Sequence, residues 1–320
     1  MNRGSKMDSN SITVVVPTYR RTADLEKCLI SLNGQIREPD EIVVVCREND
    51  LATIDFLERK SLNDLKLRYI KVSEAGAIAS MSAGVELASG NIVALIDDDA
   101  YAWPDWLLRI EKYFSLDATI GGVGGRYWDH YEGIVDDGNE SVVGKIQYSG
   151  RVIGNHYRGF GNPREVDILN GISAYRKSIL DEVGFDNRLK GSGAQVHWEI
   201  ALSLRIKSKG WKLIYDPSIS VNHYRGKRYD EDQRSPLNSI AISNATHNET
   251  LVLLEYMNPF RRLVFIVWFL SVGTIAAPGV IQALRLLPRY RLDTFKYLIA
   301  SLRGRMWGVK SWMNSVKKSA

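Results

Sequence analysis

Cysteine is scarce in this chain: 320 residues hold only Cys28 and Cys46. Two are too few for a disulfide-stapled secreted module or for a multi-cysteine zinc or iron–sulfur centre. Residues 1–11 (MNRGSKMDSNS) contain no apolar run that a translocon would read, so a disordered lead-in without a signal peptide is expected, in a reducing cytosolic setting. No G-x-G-x-x-G follows the first strand-like run, and the glycines of residues 121–125 have the wrong spacing. G-x-x-x-x-G-K-[ST] and G-x-S-x-G are missing altogether. Dinucleotide, P-loop and nucleophile-elbow chemistry are therefore disfavoured. Internal repeats and low-complexity tracts are lacking too. What is present is an ordinary globular composition, 45% hydrophobic and 25% charged.

Charge is unevenly placed. Lys and Arg number 42 and Asp and Glu 37, a formal +5. Eleven of the cations lie from Asn258 onward beside one acid, Asp293, so residues 258–320 carry +10 and residues 1–257 carry −5. A basic tail serves nucleic acid or an anionic membrane surface, and apolar content decides for the membrane. Residues 263–284 hold no charge; as one helix they would be about 33 Å long, near the hydrocarbon thickness of a bilayer. Arg261 and Arg262 precede this run, and Arg285, Arg289 and Arg291 follow it. Both flanks being basic and Pro278-Gly279 lying inside, a kinked, re-entrant or in-plane element is expected, with a single span as the alternative. Residues 295–316 read as an interfacial amphipathic helix carrying Trp307 and Trp312. The plainer alternative packs both segments on the body as buried helices.

Residues 12–16 are a continuous β-branched run suited to a buried strand, 41–46 read as a second buried strand, and 67–72 and 91–96 as a third and a fourth strand. Helical spacing occupies 22–32, 51–57 and 78–88 between them, and Pro104 opens a helix through 106–114. This alternation predicts a parallel sheet with helices on both faces and a ligand beyond the carboxyl ends of the strands. Three polar clusters fall there: Thr18-Tyr19-Arg20, Arg47-Glu48-Asn49 and Asp97-Asp98-Asp99. Beyond residue 120 glycine-rich loops take over, with helices expected at 178–183 and 198–207 and strands at 213–215 and 218–222.

Three carboxylates side by side at a strand end repel one another. A divalent cation supplies the missing charge, and oxygen ligands suit Mg²⁺ or Mn²⁺ shared with substrate phosphates. An acidic helix N-terminus is the bland alternative. Glu199 falls in the first turn of its helix beside His197 and Trp198, after the glycines of residues 191–194. There a carboxylate either acts as a base with raised pKa or merely favours the helix dipole. His223 precedes Arg225, Lys227 and Arg228, donors suited to a diphosphate.

Four stretches in order, ITVVVPTYRR (12–21), GAIASMSAGVELASGNIVALIDDDA (76–100), ILNGISAYRKSILDEVGFD (168–186) and HWEIALSLRIKSKGWKLIYDPSISVNHY (197–224), resemble family 2 glycosyltransferases of the GT-A fold. The resemblance covers about residues 10–230. It implies an α/β domain over 12–257, Rossmann-like with a mostly parallel sheet and helices on both faces, followed by a helical membrane-associating tail over 258–320. It implies inverting, metal-dependent transfer of one sugar from a nucleotide-sugar donor to a hydroxyl of a glycan or lipid-linked saccharide, with Mn²⁺ or Mg²⁺ as cofactor. On this matching Asp97 and Asp99 hold the metal with His223. Pro17, Thr18, Tyr19, Arg47, Asp97, Asp98, Arg225 and Arg228 contact the nucleotide sugar. Asn170, Gly171 and Trp198 form the acceptor and donor-sugar loop, and Glu199 is the general base.

Two departures stand out. Many relatives follow the second strand with an Asp-Asp-Gly-Ser-type turn that reads the base; here Cys46-Arg47-Glu48-Asn49-Asp50 replaces it, leaving the base unassigned. The family's acidic pair on the base helix is Trp198-Glu199. The tail resembles those of relatives that build exopolysaccharide or similar glycans at the cytoplasmic face of a bacterial membrane. Nucleic acid is not an expected partner. A processive synthase would need several spans and a Gln-x-x-Arg-Trp signature, and a pyrophosphorylase a glycine-rich loop where Pro17-Thr18-Tyr19 stands. The non-enzyme alternative is an inactive sugar- or nucleotide-binding scaffold.

Overall fold

The computed structural model describes residues 10–59, 66–231 and 238–319; of the expected disordered lead-in, only residues 10 and 11 are among them. The apolar runs alternate with helices as read: β1 (Ile12–Thr18), α1 (Thr22–Asn33), β2 (Glu41–Arg47), α2 (Leu51–Arg59), β3 (Leu67–Val72), α3 (Ala77–Leu87) and β4 (Ile92–Leu95). These four strands pair in parallel in the order β4-β1-β2-β3. Helical crossovers permit that arrangement. Val14, Val15 and Val16 and Val43, Val44 and Val45 have no exposed surface, because helices cover both faces of the sheet.

Next come β5 (Ala100–Ala102), α4 (Trp106–Leu116), β6 (Ile120–Tyr131), β7 (Ile134–Asp136), β8 (Lys145–Ile146), β9 (Val152–Ile153), β10 (Arg164–Glu165) and β11 (Ser173–Arg176). Here the sheet turns mixed. β11 lies between β4 and β6, antiparallel to both. The residues joining β6 to β11 contain no crossover helix, so the chain returns in the opposite sense. The glycines of β6 allow close approach: a Cβ on Gly125 would sit 1.8 Å from the Ile219 carbonyl oxygen.

The chain closes with α5 (Lys177–Val183), α6 (Trp198–Ser208), β12 (Lys212–Tyr224), α7 (Ser239–Tyr256), α8 (Pro259–Ser271), α9 (Val280–Tyr290) and α10 (Asp293–Ser319). The two strands expected at 213–215 and 218–222 are one, β12, parallel to β6, with the register slipping between Asp216 and Ser220. Pro217 lies in that slip and has no N–H to give the ladder.

The tail departs from a straight apolar rod. Residues 263–284 split into α8 and α9, joined by a tight reversal in which Gly273 bridges Pro278. Gly273 takes φ +69°, and a Cβ there would meet the Gly279 nitrogen at 2.2 Å, so this turn requires glycine. Among the described residues no helix is long and apolar enough to cross a membrane, which overturns the single-span alternative. The tail has both buried and exposed apolar side chains. Phe265, Phe269, Ala283, Leu286 and Ala300 are buried, while Leu263, Val267, Leu284, Ile299 and Met306 are exposed. Gly304 and Gly308 let α10 lie against α7: a Cβ on Gly304 would press to 1.9 Å from Thr246 Oγ1. Arg305, next to them, is buried and pairs with Glu249 at 2.6 Å.

Candidate active site

The carboxyl ends of β1, β2 and β4 and the end of β12 converge on a cleft of about 1180 Å³. That exceeds an ordinary small-ligand pocket and leaves room for two substrates. Pro17, Thr18, Tyr19, Arg47, Asp97, Asp99, Asn170, Gly171, Trp198, Glu199, His223, Arg225 and Arg228 all line it. Residues far apart in sequence are brought together because β4 and β12 end at the same edge, with Tyr224 N–H donating to the Asp99 carbonyl at 2.8 Å.

Asp98 does not line the cleft, which corrects its expected contact with the nucleotide sugar. Its buried carboxylate accepts from Thr18 Oγ1 at 2.6 Å, and Arg21 Nε and Nη2 reach its two oxygens at 3.0 and 2.5 Å. Burial lifts this group to about 7 against the pull of Arg21. Arg21 also reaches Asp99 at 2.9 Å. The repulsion within the aspartate triplet is thus partly relieved by an arginine, and a dication is not the sole source of compensating charge. Adjacent strand ends β1 and β4 carrying opposite charges were the available signal for Arg21.

Asp97, Asp99 and His223 each offer a ligand atom within 4.8 Å of the others. Two carboxylate oxygens and one imidazole nitrogen fit Mn²⁺ or Mg²⁺. His223 Nε2 lies 3.3 Å from Asp99, and its Nδ1 lies 3.3 Å from Asp129. A carboxylate at Nδ1 fixes the tautomer that points Nε2 at a metal. Burial lowers His223, but hydrogen bonds to Asp129 and Asp99 outweigh it and raise the imidazole to about 9, so holding a metal at Nε2 would displace a proton. Burial raises Asp99 as well, yet His223, Arg21 and the Gly226 N–H hold it well below the usual carboxylate range. Asp129, which also pairs with Arg225, escaped sequence reading. Its place opposite His223 in the β6–β12 ladder was the missing information.

Arg47 reaches the cleft wall with both nitrogens on Asp230 (3.0 and 2.8 Å), and its guanidinium lies 3.9 Å over the Tyr19 ring. Asp50, in the departing turn after β2, accepts from the Arg20 N–H and Thr53 and so braces two strand ends. Asn170 is a positioning residue too: it donates to the Gly125 carbonyl and accepts from the Ile172 N–H.

Glu199 sits in the first turn of α6, entered through His197 at φ +78°. A left-handed histidine costs on the order of 1 kcal/mol, held here by surrounding contacts. Gln195 helps hold this entry by accepting from the Ile78 N–H at 2.9 Å. Apart from its own backbone, no donor among the described residues reaches the Glu199 carboxylate, and burial raises its pKa. A raised carboxylate facing a cleft is equipped to take a proton near neutral pH.

His156, in the same wall, is fully enclosed, hydrogen-bonded to the Ile168 carbonyl at 3.1 Å, and pushed by burial down to about 4. The unfolded chain, with an ordinary histidine near 6.5, binds the proton first. Stability is therefore complete above pH 6.5 and lost as pH falls toward 4, by about 2 kcal/mol at pH 5. Urea melts at pH 7.5 and 5 should show this component in the native chain and not in His156→Asn; equal pH slopes would refute it.

The family described as Glycosyl transferase family 2 matches residues 13–184. A glucosyl-dolichyl phosphate glucuronosyltransferase of Haloferax volcanii is 30% identical over 230 residues, 66% of this chain and 68% of the relative. Mannosyltransferase PcManGT from Pyrobaculum calidifontis, solved in complex with GDP-Man and Mn²⁺, superposes with a TM-score of 0.55 at 18% identity, covering 94% of this chain and 88% of that one. S. aureus TarS 1-349, solved with UDP-GlcNAc, gives 0.61 at 13% identity, covering 91% and 79%. At such identities the two structures speak for the fold, which is GT-A. With over half its length matched by the family pattern, the chain belongs to glycosyl transferase family 2 and is a glycosyltransferase.

Proposed function

We propose that the chain is an inverting, metal-dependent glycosyltransferase that moves one sugar from a nucleotide-sugar donor to a hydroxyl of a glycan or lipid-linked saccharide. The observation that carries this reading is the placement of Glu199 in one cleft with the Asp97, Asp99 and His223 cluster. Those three residues would hold Mn²⁺ or Mg²⁺. A bound cation supplies positive charge to the diphosphate leaving group. Arg225 and Arg228 add cationic donors on the same side, and Tyr19 beneath Arg47 offers a flat wall for the base. Glu199 takes the proton from the acceptor hydroxyl as that oxygen bonds to the anomeric carbon. The bond from that carbon to the diphosphate oxygen breaks on the opposite face, so configuration inverts. GDP-Man and UDP-GlcNAc in the two neighbours support a nucleotide-sugar donor without choosing the nucleotide. The relative's glucosyl-dolichyl phosphate substrate supports a lipid-linked acceptor.

The test is nucleoside diphosphate release from a panel of UDP-, GDP- and dTDP-sugars with and without Mn²⁺. Release of one nucleotide only with the cation is expected. Failure to bind or turn over any donor, with glycans still bound, would install the inactive scaffold reading instead.

The exposed apolar side chains of α8–α10 beside the tail's arginines support peripheral or monotopic attachment to the cytoplasmic face of the cell membrane. Leu263→Glu with Leu284→Glu should cut co-sedimentation with vesicles containing 30% phosphatidylglycerol by roughly tenfold or more. Unchanged sedimentation of this variant would overturn the attachment surface.

A further inference from the structure

The cleft does not stop at the groups used above. It continues between the β8–β9 hairpin and the last helices, where Glu249, Trp268, Ile275, Gln282 and Arg285 form its wall. Arg151, at the hairpin turn, joins them. The hairpin is seated firmly on α8: a Cβ on Gly150 would stand 2.4 Å from the Phe265 ring. Arg261 ties the same turn down by donating to the Gln147 carbonyl at 3.0 Å.

The charges at this end are unequal. Its carboxylate, Glu249, is matched by buried Arg305 at 2.6 Å, and Arg305 is itself fixed 3.8 Å from the Phe269 ring. Nearby cations have their uses as well: Arg262 donates to the Leu254 carbonyl at 2.7 Å. Arg151 and Arg285 differ. Both are exposed in the cleft, and neither side chain has an ion-pair or hydrogen-bond partner among the described residues. Open guanidinium forks are shaped for the paired oxygens of a phosphate.

An apolar surface begins where Arg285 ends. Ile281 and Gln282 precede Arg285 by four and three residues and so share its helix face. Ile281 is exposed on that face, and Ile275, in the 273–278 turn, is exposed in the cleft wall. Two open guanidinium groups in one cleft, with exposed aliphatic side chains beside Arg285, fit an amphiphile better than a free anion or an uncharged sugar.

Resting on the reading of the cleft as donor and acceptor site, we propose that this end is an acceptor subsite for a lipid phosphate. Arg151 and Arg285 bind its phosphate, and α9 with the 273–278 turn receives its chain. The saccharide borne on that phosphate then extends inward toward Glu199.

The probe is dodecyl phosphate, kept below its micelle concentration and titrated calorimetrically into the full chain without donor. Dodecyl glucoside and inorganic phosphate are the comparison arms. The wild type is expected to bind dodecyl phosphate at least tenfold more tightly than either. Arg151→Ala with Arg285→Ala should weaken that binding about 30-fold or more, Arg285→Lys in place of alanine should restore part of it, and Arg289→Ala should change nothing. Manganese-dependent binding of the nucleotide sugar should be the same in the double variant, which also shows that it is folded. Equal binding by the double variant, or by inorganic phosphate or dodecyl glucoside, would overturn the subsite. Absence of donor binding in a wild type that still selects dodecyl phosphate would count against the transferase mechanism and leave the subsite standing.

Discussion

Glu199→Gln should bind Mn²⁺ and the nucleotide sugar within about twofold of wild type, while sugar transfer falls by about 10³-fold, within the usual range for loss of a general base. Glutamine keeps the side chain's size and its fit beside Trp198, so the cleft is preserved; what disappears is the capacity to accept a proton. The native carboxylate is raised by burial, and it works as a base only when ionised. Transfer should therefore rise with pH along a limb lying above the ordinary carboxylate range. The variant's residual rate should lack that limb. Near-normal turnover, or an unaltered pH limb, would remove Glu199 from the reaction. Trp198 and His197 shape the site without offering a second carboxylate, which is why one substitution has so large an effect.

Asp99→Ala should abolish the difference that Mn²⁺ makes to donor affinity, a loss of about 100-fold or more measured calorimetrically against an EDTA control. Asp99 is the member of the cluster most firmly held ionised, by His223, Arg21 and the Gly226 N–H together. Alanine removes a metal ligand and at once leaves the Gly226 N–H and one arm of Arg21 without their acceptor. Asp99→Asn, which retains an oxygen acceptor of the same shape, separates these effects. It should fold with near-native melting temperature and still lose most of the cation dependence. Retained cation dependence in a folded Asp99→Asn chain would exclude the aspartate as a ligand.

Much of the first half was readable because buried parallel strands leave a plain trace. Runs such as residues 42–46 are apolar without alternation, and helical spacing lies between them. Asp97, Asp99, Glu199 and His223 fall at the ends of such elements, so finding the elements placed the residues. What escaped depended on pairing in space. Arg21 stood inside a quoted motif, yet only the adjacency of β1 and β4 gives it Asp98 and Asp99 as partners. Asp129 needed the register of β6 with β12. α7 was missed for a different reason: it buries Thr246, His247, Asn248, Glu249 and Thr250 together with Leu251–Leu254, so no polar stripe marks its outer face. The tail's hydrophobicity was legible, but its reversal at Gly273 and its contribution to the cleft rest on close backbone approach.

Cleft residues span Pro17 to Arg285, so the pocket is assembled from nearly the whole length of the polypeptide. During synthesis the cation-binding cluster emerges well before the wall at Trp268–Arg285. At 5–20 residues per second, the interval between Arg228, the last of the donor-side residues, and Arg285 is on the order of five seconds. A nascent chain in that interval carries the donor machinery beside an open flank, and ribosome-bound intermediates should hold donor before they recognise acceptor.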